Sequence, residues 1–351
     1  MPISAVDTIA PAIQHAKRQL FQPFRFWQWT RIAVVGLLAG EMGGGGNFHL
    51  PSEFKVPQGS SRHFLDSPFD SIDPAALAGV IAVLVVSGLL FLLIMTYISS
   101  VMRFVLFDSV LTKECHIRQG WMRRQAPAWR YFLWQLGFLV VTMAAVAVLL
   151  GIPALFAYTK GWFSAPHEHV GGLVLGGIIV LFLFLALIVV IALVHTLTKD
   201  FVVPQMALEE IGAIEGWRRL LPMMQGEMGG YVMYIIMKVL LAIGVGIVIS
   251  IVSLILGLFF AVPTVGLAIV AIIAGKGAGL TWNAYTITIA IVVGLILLAV
   301  FLYLLALVAV PAIVFFPAYS IYFFAARYPA LGRALYPAPP APLAPVPQPA
   351  G

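Results

Sequence analysis

The sequence predicts an all-α fold: a polytopic helical membrane bundle of about six transmembrane helices, containing a parallel tandem repeat of helical hairpins. Three observations carry this expectation. Hydrophobic residues fill 62% of the 351 positions and charged residues only 10%, against about half and about a quarter in soluble domains. Surface-to-volume scaling prevents a soluble domain from burying so much apolar surface. Several apolar runs also exceed the roughly 20 residues needed to cross a bilayer core about 30 Å thick. Finally, two stretches share one pattern, in which an apolar span runs into Phe-Val, turns through a polar elbow and reaches Gly-Trp-x-Arg. The first copy has Phe104, Val105, Gly120, Trp121 and Arg123, and the second has Phe201, Val202, Gly216, Trp217 and Arg219. The offset is 97 residues at Phe-Val and 96 at Gly-Trp, so the elbows differ in length by one residue.

Residues 1–31 read as an amphipathic, interfacial segment. Over 4–22, Ser4 and Asp7 suit a capping pair, and Val6, Ile9, Ile13, Leu20 and Phe21 fall near one helical face. Asp7, His15, Lys17 and Arg18 interrupt the first twenty residues, so no cleavable signal peptide is expected. Phe24, Phe26, Trp27 and Trp29 then alternate with Arg25 and Arg31, a composition suited to a membrane interface.

Residues 32–336 form the expected transmembrane domain. The apolar run 32–40 is short, and crosses only if the aromatic stretch joins it; a full crossing is the reading adopted, with a half-inserted helix as the alternative. A polar loop over 47–74 follows, and the acidic Glu41, Glu53, Asp66, Asp70 and Asp73 outnumber the nearby Lys55 and Arg62. Four strong spans follow at about 75–102, 131–158, 171–199 and 231–260, so repeat 1 covers about 75–158 and repeat 2 about 171–260. Residues 262–275, opened by Pro263, read as a re-entrant hairpin or a short crossing. The apolar run 283–326 would extend about 66 Å as one helix, so it must bend, break or leave the bilayer, with Pro311 and Pro317 as the obvious points. Counting 262–275 and 312–326 as crossings gives the alternative of eight. Residues 337–351, rich in proline, read as a disordered tail.

On the six-crossing map, fifteen of the 20 Lys and Arg residues fall on one side and four on the other, with Lys238 inside a span near enough to snorkel. The positive-inside rule then places both termini in the cytoplasm. Because the positive charge serves topology, the net charge of +6 does not argue for nucleic acid. Both elbows fall on the cytoplasmic side with the same polarity, which makes the repeat parallel.

The elbows supply the candidate binding residues. Ile117 with Trp121, and Ile214 with Trp217, lie at helical spacing, and Leu220 and Leu221 extend the second stripe. Trp121, Arg123 and Arg124, and Trp217, Arg218 and Arg219, are therefore candidate interfacial lipid contacts, the arginines facing lipid phosphates. The plainer reading is an interfacial anchor that fixes hairpin geometry. Arg103 and Asp200 immediately precede the paired Phe-Val sites and are a candidate inter-repeat ion pair, the alternative being that both reach cytoplasmic water.

No catalytic pattern emerges. His167, Glu168 and His169 lack the further ligands of a zinc site, and Gly275-Lys276-Gly277 lacks the rest of a P-loop. No Gly-x-Ser-x-Gly elbow occurs. Cys115 is the single cysteine, which excludes an internal disulfide. No cofactor, metal or enzymatic activity is expected, and the expected partners are membrane lipids, anionic ones included.

The run from Phe201 through Val-Val-Pro-Gln-Met-Ala-Leu-Glu-Glu-Ile-Gly-Ala-Ile-Glu-Gly-Trp-Arg to Arg219, with Tyr319-Ser-Ile-Tyr322 and Arg327, resembles the bacterial glycerophosphoryl diester phosphodiesterase membrane-domain group and its uncharacterised relatives. The resemblance covers roughly 75–335. It implies an all-helical fold in the bacterial inner membrane and transfers no catalytic residue, since this chain carries no phosphodiesterase domain. The resulting functional expectation is a non-enzymatic membrane scaffold or lipid-associated module. Two alternatives are a transporter or channel for a lipid-like or small amphipathic solute, and a membrane-embedded enzyme of lipid metabolism.

Overall fold

A computed structural model describes residues 4–41, 74–163, 167–277 and 284–336. The described residues are helical almost throughout. Short N-terminal helices α1 (Ile9–Phe21) and α2 (Phe26–Leu38) precede α3 (Pro74–Thr112), α4 (Ile117–Thr159) and α5 (Val170–Leu197). A five-residue π-helical turn, Thr198–Val202, leads into α6 (Val203–Glu209) and α7 (Ala213–Gly226). Two long helices, α8 (Met228–Gly277) and α9 (Ala284–Ala325), and the short α10 (Pro329–Leu335) complete the chain. Polar loop 47–73 and tail 337–351 lie outside the described residues.

Five helices, α3, α4, α5, α8 and α9, are long and apolar enough to cross a membrane. Their runs of Leu, Ile, Val, Ala and Phe carry few polar side chains, those at Ser87, Thr96 and Thr264 turn back onto carbonyls of their own helix, and a helix satisfies its interior peptide groups in lipid. The protein is a multi-pass helical membrane protein.

Packing is uneven along these helices. In the most apolar eighteen-residue window of α3, α4, α5 and α8, no residue is buried. Side chains such as Val83, Val141, Phe182 and Val248 are exposed, and in α4, α5 and α8 only one stripe at helical spacing is half-buried, as at Val245 and Ile249 of α8. The buried residues gather instead at one end, including Val101, Phe104, Val105, Tyr131, Phe201, Met206, Tyr231, Tyr234, Val310, Tyr319 and Phe324. The molecule is a packed hub from which long apolar arms extend.

Aromatic contacts knit the hub. Phe201 meets Tyr231 edge to face at 5.4 Å, Tyr234 stacks on Tyr319 at 5.2 Å, and Phe323 lies 4.5 Å from Tyr234. Each such pair is worth about 0.5–1.5 kcal/mol beyond the area it buries. The hub also explains the helix lengths. At 1.5 Å per residue, the 42 residues of α9 extend about 63 Å, more than any bilayer core. Its last turns, from Ala306 to Phe324, are buried in the hub, so the helix outruns the apolar region without breaking.

This corrects the reading of the C-terminal third. Pro311 and Pro317 lie inside a continuous α9, and Pro263 lies inside a continuous α8. Neither 262–275 nor 312–326 is a separate crossing. The missing proline donors are tolerated because the neighbouring turns retain their bonds.

The first expected crossing is corrected as well. The 13 residues of α2 extend about 20 Å, too short to span alone. The carbonyl of Ala39, just past its end, accepts a bond from Arg103 in the hub, and Glu41 pairs with Lys199. At its other end Gln28 Nε2 donates to the Lys113 carbonyl at 2.7 Å, so both ends of α2 contact the hub side of the molecule, and Glu41 does not belong to the opposite face. The segment before α1 joins the hub as well: Tyr319 Oη donates to the Ala5 carbonyl at 3.1 Å.

Ser4 and Asp7 do form the local bond expected of them, 2.8 Å between side chains. The face that α1 buries differs from the apolar one expected. Ala12, His15, Ala16, Gln19 and Leu20 turn inward, whereas Val6, Ile13 and Phe21 remain exposed. Two polar side chains decide this orientation by reaching α3: His15 Nε2 lies 2.8 Å from the Val110 carbonyl, and Gln19 Nε2 donates to Ser109 at 2.9 Å.

Candidate functional site

At the junction of hub and arms lies a buried cluster of five charged side chains: Glu41, Arg103, Lys199, Asp200 and Lys238. Glu41, Arg103, Asp200 and Lys238 are all buried, and Lys199 is nearly so. Four elements carry it. The turn just past α2 brings Glu41, the last third of α3 brings Arg103, and α8 brings Lys238. The π-helical turn supplies both Lys199 and Asp200. A π turn inserts one extra residue into the helical path and re-aims its side chains, a device that recurs at functional positions.

Arg103 and Asp200 do enter one site, and both line a cavity of about 30 Å³ with Glu41 and Lys199. They are not each other's direct partners. Asp200 pairs with Lys238 and accepts a 3.0 Å hydrogen bond from Tyr234 Oη. Arg103 donates 2.9 Å to Tyr131 Oη and 3.0 Å to the Ala39 carbonyl. Lys238, expected to snorkel, is instead drawn inward by Asp200 and sits 5.9 Å above the Tyr234 ring. The exchange is physically sensible, because an ammonium at this depth gains more from a carboxylate than from a long reach to water.

Glu41 and Lys199 form the second buried pair. Burial opposes the charged Glu41 carboxylate, but Lys199 and Arg103 outweigh burial and hold its pKa below the ordinary value. One oxygen of Glu41 and the Nε of Arg103 have no hydrogen-bond partner among the described residues. With three cations against two anions, the cluster carries a formal excess of one positive charge.

The two elbows resemble each other in geometry as well as sequence. Each turns on a non-glycine residue in the left-handed region, Lys113 (φ 63°) and Glu210 (φ 56°), which follows its Phe by nine positions. In each, the glycine of Gly-Trp abuts the valine of Phe-Val. A Cβ on Gly120 would stand 3.0 Å from Val105 Cγ2, and one on Gly216 only 2.7 Å from Val202 Cγ1. The elbows differ in their helices. The first runs straight into α4 through Pro127, whereas the second is split into α6 and α7.

These contacts sort the candidate lipid residues. Arg124 is buried and holds Asp108 through two bonds of 2.7 and 2.6 Å, with Nη1 on the Ala207 carbonyl. It is a clasp between the elbows and is not free for lipid. Trp121 is half-buried against Tyr97, and Trp217 donates 3.1 Å to Thr198 Oγ1. Both indoles point into the hub rather than outward. Arg219 is paired with Glu209 and Glu215, and Arg218 with Glu215 at 2.8 Å. Arg123 alone is exposed with no ion pair among the described residues.

Glu41, Lys199, Tyr131 and Tyr234 were not singled out by sequence reasoning. The available signal was the rarity of charge beside apolar runs, which marks Lys199 and Glu41 as readily as it marks Arg103. Among the described residues, no group of three or more His, Cys, Asp and Glu side chains is placed to hold a metal ion.

A family model described as a family of unknown function (DUF7544) matches residues 3–333. The chain belongs to this family. The match spans α1 through most of α10, so N-terminal helices, hub and arms are all part of the DUF7544 pattern. No curated protein and no solved structure matches the chain. The family match gives no link to the glycerophosphoryl diester phosphodiesterase membrane-domain group that the second elbow resembles.

Proposed function

We propose that this DUF7544 protein is a non-enzymatic membrane scaffold that associates with lipid. In this reading two copies of one hairpin, each closed by an elbow, hang from a hub at the cytoplasmic face of a bacterial inner membrane, with both termini cytoplasmic. The arms present apolar surface to lipid or to the helices of partner proteins. The observation that carries this reading is the contrast between arms and hub. The arms expose most of their apolar surface, while the charged cluster borders a cavity of only about 30 Å³, room for about one or two water molecules.

Transport is the reading that the buried charges would otherwise favour, since ionisable groups at membrane depth often mark a pathway. Here each cation of the cluster has a protein partner, and the cavity beside it is small and lined in part by the apolar Leu106, Phe107, Pro317 and Ile321. The test is reconstitution into liposomes loaded with a fluorescent pH or ion reporter, with bound molecules identified after purification in native lipid. The scaffold reading expects retained lipid and liposomes as tight as protein-free ones. Flux that is lost on Asp200→Asn would overturn it in favour of transport.

A further inference from the structure

The surface between α2 and the start of α4 holds a second site, which sequence reasoning did not reach. A cleft of about 540 Å³ is lined by Arg31, His116, Ile117, Arg118, Gln119 and Met122. Its lining contains two guanidinium groups and no carboxylate. Arg118 is exposed and has no ion pair among the described residues. Among the described residues Arg31 makes a single long 3.4 Å bond, to the Cys115 carbonyl, which leaves most of its donors available. Glu114, the acid closest to Arg118 in sequence, has its carboxylate engaged by His116 at 3.2 Å. This separates the cleft from the second elbow, where Arg218 and Arg219 are neutralised by Glu209 and Glu215.

The rim of the cleft is apolar and exposed. Met122 is 70% exposed. Trp27, one helical turn before Arg31 and on the same face of α2, is 74% exposed. A tryptophan and a methionine beside two unpaired arginines match the chemistry of the headgroup layer, where apolar groups enter the acyl boundary and guanidinium groups meet phosphate. Guanidinium presents a planar fork that suits a phosphate's paired oxygens.

We propose that the Arg31–Arg118 cleft binds a phosphate group, supplied by the headgroup of an anionic phospholipid. The inference rests on the lipid-associated reading of the protein, but it relocates recognition from the repeated Trp-Arg elbows to the groove between α2 and α4. Trp27 and Met122 hold the acyl boundary while Arg31 and Arg118 clamp the phosphate.

The test uses the full chain in mixed nanodiscs of phosphatidylcholine with and without phosphatidylglycerol, and native mass spectrometry counts the lipids that stay bound. Arg31→Gln and Arg118→Gln should each weaken phosphatidylglycerol retention by about fivefold, whereas Arg218→Gln should leave it unchanged. Arg31→Lys and Arg118→Lys keep the charge and should retain most of the binding, which separates loss of the site from loss of fold. Soluble glycerol phosphate is the second arm. If it protects the wild type and not the glutamine variants in the absence of anionic lipid, the phosphate site stands and its source is the free ester. Equal phosphatidylglycerol retention by wild type and both glutamine variants would overturn the proposal. The scaffold reading would fail separately, through solute flux, with headgroup retention unaffected.

Discussion

Gly216 lies directly beneath Val202, so close that a Cβ would stand 2.7 Å from Val202 Cγ1. Real side chains do not approach this closely, so Gly216→Ala must push α7 from the π-helical turn. Overpacking of this kind costs about 1–3 kcal/mol. Gly120→Ala, whose Cβ would meet Val105 Cγ2 at 3.0 Å, should cost less. Thermal unfolding in detergent checks both, and Val202→Ala should rescue part of the Gly216→Ala loss.

The same contact shows what the sequence made legible. Phe-Val and Gly-Trp-x-Arg were visible as strings, and the elbow is where they meet: Gly has no side chain because Val occupies the space. The helical membrane class was equally plain, since 25-residue apolar runs have no soluble explanation. The orientation of Arg124 was not legible. It neighbours Arg123 and shares its chemistry, and only the packing of two elbows reveals that one arginine is clasped and the other is free. The first crossing was misread for a similar reason. Glu41 looks like the start of an acidic outer loop until Lys199, 158 residues away, claims it.

Arg124 clasps the elbows through Asp108 and the Ala207 carbonyl. Arg124→Gln removes charge-assisted bonds and leaves Asp108 without its partner, at a cost of about 2–3 kcal/mol. Unfolding midpoints should fall accordingly, while anionic-lipid retention by the folded fraction should not change. Arg123→Gln should show little stability effect.

His15 reports on pH. Burial lowers its pKa below the ordinary 6.5, and Lys113 and Arg18 add to the effect. The neutral ring fits its contacts, with Nε2–H donating to Val110 and Nδ1 accepting from Tyr322 Oη at 3.3 Å. Above the unfolded pKa both states are neutral and the docking of α1 keeps its full stability. As pH falls below that value the unfolded state takes up a proton that the folded state resists, so stability is lost. Protection factors of α1 amides, which correct for the intrinsic pH dependence of exchange, should fall from about pH 7.5 to about pH 5.5. In His15→Gln this pH dependence should flatten.

The buried pairs make a further demand. Removing one member of a desolvated pair leaves an uncompensated charge, typically costing about 3–5 kcal/mol. Lys199→Met should therefore destabilise the hub strongly by leaving the buried Glu41 without its partner. The double change Lys199→Met with Glu41→Leu should recover much of the loss, measured as chemical unfolding in detergent.

The organisation of the hub around Asp200 is tested most directly by double-mutant cycles on unfolding free energy. Asp200→Ala is combined with Lys238→Ala in one cycle and with Arg103→Ala in the other. The geometry predicts a coupling of about 2 kcal/mol or more between Asp200 and Lys238, and a distinctly smaller one between Asp200 and Arg103. Equal or reversed couplings would contradict it, returning Arg103 to the role of Asp200's partner and dissolving the cluster as described.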